Sequence, residues 1–263
     1  MDLKLKNKCA LVTGASRGLG YATALALARE GCRVAINSRD KDRLDSAVEK
    51  ISRETGAQVL AVSGDVSEVE AAAGIVEAAA SALGGLDILV CNSGGPPAGS
   101  FESFDDAAWQ KAVDLSFLSH VRLIRAALPH LRKSSSASVL TVTSYSTKQP
   151  IPNLVLSNSI RLATVGLTKS LALELGRDGI RFNSILPGWT ETERVVDLMT
   201  FRAKQNGTTV EEEIAKQSRE SPLGRMGKPE EFANAAVFLV SPTASYITGV
   251  MLTVDGGMYK GTI

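Results

Sequence analysis

Short apolar runs rich in β-branched residues alternate along this chain with longer segments whose apolar positions recur at helical spacing. The runs Cys9–Thr13, Arg33–Asn37, Gln58–Val62, Asp87–Cys91, Ser138–Thr143, Ile180–Leu186 and Met251–Val254 read as strands. Ala22–Glu30, Lys41–Thr55, Ser67–Leu83, Asp105–Arg132, Leu154–Arg177 and Pro229–Val240 read as helices, with Gly31, Gly56 and Gly84 as stop signals. Such alternation predicts an α/β fold: a doubly wound, seven-stranded parallel sheet of the Rossmann type, with right-handed crossovers and helices on both faces. No Pro/Ser/Gly linker divides the chain, and Ser134–Ser138 is only a tight connection, so residues 1–263 are expected to form a single domain. The segment Thr190–Met226 fits neither pattern. It reads as an irregular insert at the C-terminal edge of the sheet, where such folds bind ligands, and so as a substrate lid near 190–226.

Composition narrows the function. Lys and Arg number 29 against 28 Asp and Glu, for a net charge of +1, and no basic stripe interleaves with aromatics, which argues against a nucleic-acid partner. Hydrophobic residues at 44% and charged residues at 22% are those of an ordinary water-soluble domain. The N-terminus alternates Lys with Leu and lacks a signal-peptide core, and no apolar run reaches spanning length, so a cytoplasmic location and no membrane partner are expected. Cys9, Cys32 and Cys91 are odd in number and lack metal-ligand spacing, which suits reduced thiols and no metal.

The chemistry starts where the first strand meets the first helix, at Thr13-Gly14-Ala15-Ser16-Arg17-Gly18-Leu19-Gly20. Gly14 permits the tight turn, Gly18 lets backbone approach a pyrophosphate, Gly20 lets helix pack on strand, and the helix N-terminus offers free N–H groups to the anion. The second strand ends in Asn37-Ser38-Arg39 with no acid at its tip. An acid there would accept the ribose 2′-hydroxyl of NAD, whereas Arg17 and Arg39 could clamp the 2′-phosphate of NADP. NADP(H) is therefore favoured, with NAD(H) still possible; two solvated arginines are the plainer reading.

With these motifs in place the sequence resembles the short-chain dehydrogenase/reductase family along essentially its whole length, and most of all its 3-oxoacyl-carrier-protein reductase branch. Thr13–Gly20 matches the family's TGxxxGxG, Gly64-Asp65-Val66 the adenine-side acid, and Asn92-Ser93-Gly94 the NNAG turn. Asn183 with Pro187-Gly188 resembles the element flanking the nicotinamide, and Val254-Asp255-Gly256-Gly257 the terminal VDGG. The resemblance implies cofactor contacts at Gly14, Ser16, Arg17, Gly18, Leu19, Gly20, Ser38, Arg39, Asp65, Val66, Asn92, Ser93, Gly94, Arg161, Pro187, Gly188 and Thr190. It also implies a homotetramer built on the long central helices and the C-terminal segment.

The family's catalytic Asn, Ser and Tyr-x-x-x-Lys are only partly present. Ser144 stands at the Ser position, but Ser157 replaces the Tyr, Arg161 replaces the Lys, and the Asn position falls on Ser116. A serine hydroxyl is too weak an acid to stand in for a phenol, and a guanidinium cannot relay protons, although Arg161 can still bind ribose hydroxyls or phosphate. Tyr145, directly after Ser144, is a candidate donor assisted by Lys148; the competing reading packs Tyr145 in the loop and leaves Lys148 in solvent. His120 and His130 are read as core or interface residues, and Trp189 as lying on the substrate side of the cofactor.

Two functions follow. One is an NAD(P)(H)-dependent carbonyl reductase or alcohol dehydrogenase, of a small or 3-oxoacyl substrate, with an atypical proton donor. The alternative is a dinucleotide-binding sensor or partner subunit that has lost turnover.

Overall fold

The computed structural model describes residues 1–262. Its centre is a seven-stranded, wholly parallel sheet in the order β3-β2-β1-β4-β5-β6-β7, formed by β1 (Cys9–Val12), β2 (Arg33–Ser38), β3 (Val59–Ser63), β4 (Ile88–Cys91), β5 (Ser138–Val142), β6 (Arg181–Pro187) and β7 (Met251–Val254). Period-two alternation sends each strand's apolar side chains to opposite layers. In β1, Ala10 and Val12 join the layer holding α1 (Gly18–Arg29), α2 (Lys41–Thr55) and α9 (Pro229–Val240), while Cys9 and Leu11 join that of α3 (Ala71–Leu83), α5 (Ser119–Leu131) and α6 (Val155–Leu175). Burial on both faces explains why the strands read as continuous apolar runs.

The strand order reverses between β1 and β4, which opens a crevice beyond their C-terminal ends. Three differences from the sequence reading matter there. Helix α1 begins at Gly18 rather than Ala22, so the glycine motif forms its first turn. The helix expected over Asp105–Arg132 is α4 (Asp106–Val113) and α5 joined through a π-helical turn, Asp114–Leu118, an extra-residue bulge that alters the phase of the side chains on either side. The Thr190–Met226 insert, expected to be irregular, carries α7 (Glu193–Asn206) and α8 (Val210–Arg219). Helix α8 is started by a reciprocal cap: Thr209 Oγ1 accepts from Glu212 N at 3.1 Å, and Glu212 Oε2 accepts from Thr209 N at 2.8 Å. A third apolar cluster, including Tyr145, Ile151, Trp189, Met199 and Met226, fastens these helices over the sheet edge. Cys9, Cys32 and Cys91 are unpaired and buried, and among the described residues no helix is long and apolar enough to cross a membrane.

Candidate active site

The first turn of α1 is built to leave donors open. Arg17 occupies the N-cap without a side-chain cap, whereas the neighbouring α2 is capped by Asp40, which accepts from Arg43 N at 3.1 Å. The uncapped N–H groups and the helix dipole together favour an anion. Gly14 has φ +57°, and a Cβ there would come within 2.8 Å of the Asn92 carbonyl; a Cβ on Gly20 would meet the Gly14 oxygen at 2.5 Å. Asn92 locks this turn from the β4 side: its Nδ2 donates to Thr13 O at 3.2 Å and Gly14 O at 3.0 Å, while Thr13 Oγ1 donates to Asn92 O at 2.7 Å. Thr13, absent from the predicted contacts, thus shapes the cradle from beneath.

At the β2 end, Ser16 and Ser38 share a 3.0 Å hydrogen bond, and Arg39 pairs with Asp65 at 3.3 Å. Burial works against ionisation of Asp65, but hydrogen bonds from the Ser67 amide and hydroxyl and from Arg39 outweigh it and hold the carboxyl below its ordinary range. Arg17 pairs with Glu193 at the start of α7. Each arginine of the expected clamp is therefore held by a carboxylate, and both line the crevice.

That crevice is one cleft of about 440 Å³. Every predicted cofactor position lines it except Gly20, which is buried under the turn. Of the five catalytic candidates, Ser144, Tyr145, Ser157 and Arg161 line the cleft and Lys148 does not. Lys148 lies with its ammonium 5.0 Å from the centroid of the Tyr259 ring, so the expected pairing with the Tyr145 phenol is not made. Lys148 and Tyr145 are close in sequence, but the short helical turn Tyr145–Thr147 sends the two side chains apart.

Arg161 is buried, and its Nη1 donates to Val142 O at 3.1 Å and Thr143 O at 3.2 Å at the end of β5. Burial, and then the charge of Arg194, push its pKa down to about 10. It remains a cation at neutral pH. Ser144 Oγ accepts from Ser146 N at 3.1 Å, and its own proton is left for a ligand. Tyr145 is 6% exposed. Burial pushes its phenol up, partly offset by the Trp189 indole N–H, which is close enough to favour the ionised oxygen but short of a formed hydrogen bond. His120 is buried between the Ser119 hydroxyl and the Cys91 carbonyl, 3.2 Å from each, outside the cleft; His130 meets Glu77 at 3.1 Å. Ser116 lies in the π-helical turn, where its carbonyl accepts from Thr164 Oγ1 at 2.7 Å, and it does not line the cleft.

The sequence reading missed the lid's own contribution. Arg194, on the first turn of α7, donates from Nη1 to Gly95 O and from Nη2 to Pro96 O, both at 3.0 Å. With the Glu193–Arg17 pair, two consecutive α7 residues bond to opposite banks of the cleft. No motif announces this; it required knowing that residue 194 stands above residue 95.

Comparison with known proteins agrees with this architecture. A family model described as enoyl-(acyl carrier protein) reductase matches residues 14–259. The 7alpha-hydroxysteroid dehydrogenase of Escherichia coli K12 is 32% identical over 97% of this chain and 96% of its own. L-Sorbose reductase of Gluconobacter frateurii, complexed with NADPH and L-sorbose, superposes with TM-score 0.94 at 34% identity, covering 99% of this chain and all of the other. An NADPH-bound short chain oxidoreductase of Pseudomonas aeruginosa containing an atypical catalytic center superposes with TM-score 0.88 at 33% identity, covering 98% and 100%. The chain belongs to the short-chain dehydrogenase/reductase family.

Proposed function

We propose that this protein is an NADP(H)-dependent carbonyl reductase whose proton donor is Tyr145. The observation carrying the reading is that one cleft joins the uncapped start of α1 to Ser144, Tyr145 and Arg161. The glycine turn, whose close approaches leave no room for a Cβ, fits a dinucleotide diphosphate. Arg17 and Arg39, with no acid at the β2 tip, favour the 2′-phosphate of NADP over a free ribose hydroxyl. The L-sorbose reductase and the Pseudomonas oxidoreductase, both NADPH complexes, support the same choice.

Bound here, a reduced nicotinamide supplies the hydride to a carbonyl carbon. The chain's residues manage the oxygen. Ser144 Oγ donates a hydrogen bond to it and Tyr145 Oη transfers its proton, leaving an alcohol and a phenolate beside the Trp189 N–H. The phenolate is reprotonated from water in the open cleft. Arg161 keeps positive charge near the developing oxyanion and presents its remaining N–H groups to ribose hydroxyls. Ser157, opposite, is a neutral donor that orients the substrate. Replacing Tyr145 with Phe should lower kcat by at least about 100-fold, with NADPH affinity unchanged in a fluorescence titration; undiminished turnover would remove Tyr145 from the mechanism.

Assembly into a homotetramer is part of this reading. Helix α6 exposes Leu162, Gly166, Ser170 and Leu173 along one face, with Leu173 75% exposed. Two exposed leucines with small residues between them on a long helix are a surface that self-association would cover.

A further inference from the structure

On the other side of Tyr145 lies a second cavity of about 250 Å³, with Tyr145, Ile151 and Trp189 forming the wall common to both. Its floor is the loop after β5, with Gln149 and Asn153, and its roof is the facing sides of α7 and α8. The lining differs from that of an apolar substrate pocket. It holds two cations, Arg202 and Lys216, and two anions, Glu213 and Glu220. The charged groups are largely consumed within the wall: Glu213 accepts from Asn206 Nδ2 at 2.9 Å and Thr208 Oγ1 at 2.8 Å, and Gln217 accepts from Arg202 at 2.6 Å while donating to Glu220 at 2.6 Å. Arg202 also covers one face of the Trp189 ring, its guanidinium carbon 5.0 Å from the centroid. The amides of Asn153 and Gln205 have no partner among the described residues, and Gln149 uses only its oxygen, toward Lys260 N at 3.3 Å.

We infer that this annexe, lined by amides and by charges that sum to zero and sharing the Tyr145–Trp189 wall with the cleft, selects a neutral polyhydroxylated carbonyl substrate, a ketose or aldose rather than an apolar ring system or an oxo acid. An amide offers both donor and acceptor, the pairing a hydroxyl needs. An apolar ligand would strip water from these groups and return nothing, and a carboxylate would find no net positive charge to meet. The inference rests on the carbonyl-reductase reading and adds the substrate class to it.

The test compares open-chain ketoses with 2-alkanones of matched carbon number, following NADPH oxidation by the wild-type protein and by the Gln149→Leu and Gln205→Leu variants. The ketose should be preferred by at least about 100-fold in kcat/KM, as expected where a site is built to bond hydroxyls. Each variant should erode that ratio about tenfold through KM while leaving the 2-alkanone unchanged. Equal or better use of the 2-alkanone, or a ratio indifferent to both variants, overturns the inference with the reductase reading intact. If no carbonyl is reduced, the ketose is titrated into the NADPH-loaded protein by tryptophan fluorescence. A saturable change that Gln205→Leu weakens upholds the annexe while the reductase reading fails; no change overturns the annexe as well.

Discussion

Three side chains show how position alone changes what a residue can do. Arg161 stands where a lysine serves in the family pattern, yet in the fold it is spent partly on two carbonyls at the end of β5, Val142 O and Thr143 O, which fixes its plane and leaves charge without proton exchange. Tyr145 lines the cleft because the chain turns immediately after Ser144. His120, a candidate for acid–base chemistry by residue type, is buried away from the cleft, and burial followed by the Arg161 charge pushes its pKa down to about 4. That value lies below the ordinary value of about 6.5, so in acid the unfolded chain takes up the proton before the folded one does. The stabilisation is fully present above about pH 6.5 and lost as the pH falls toward 4, amounting to at most about 3 kcal/mol. Urea denaturation across that window should show a shallower acid loss in His120→Gln than in the wild type.

At the scale of elements, α7 decides access. Its first two residues reach Arg17 on one bank and Gly95 and Pro96 on the other, and on the nucleotide-binding reading these three bonds are expected to slow entry and release. A Cβ on Gly95 would overlap the Arg194 guanidinium. Arg194→Met and Gly95→Ala should therefore each speed NADPH release in stopped-flow fluorescence, by about threefold to tenfold if the lost bond contributes about 1 kcal/mol. They should leave the unfolding midpoint nearly unchanged, because both residues lie outside the three apolar clusters. A release rate identical to wild type would show that α7 opens elsewhere.

For the molecule as a whole, exposed apolar side chains occur on two surfaces suited to association. One is α6 around Leu162 and Leu173; the other is β7, one of the two edge strands, where Met251 is 37% exposed. Edges and exposed apolar side chains of this kind are covered in stable assemblies. Leu173→Glu should shift the sedimentation of the protein toward a smaller species without loss of helicity, and an unshifted profile would place the contact on another face. Two cores, one on each side of the sheet, carry the fold itself, with Phe232 of α9 in one and Phe182 of β6 in the other.

Strand number, parallel order and the glycine cradle were legible in the chain because each is local: periodicity two against 3.6, and a turn that only glycine can make. The start of α8 was missed, although Thr209 and Glu212 carry a local capping signal, because Thr190–Met226 as a whole fits neither period. What the tertiary structure alone decided are relations between residues far apart in sequence. Arg194 meets Gly95, Asn92 locks Gly14, Lys148 turns from Tyr145 to Tyr259, and α7 and α8 roof an amide-lined annexe. Sequence pattern determines which face of each element is apolar; the packing of those faces determines which polar side chains, on different elements, come to share one cleft.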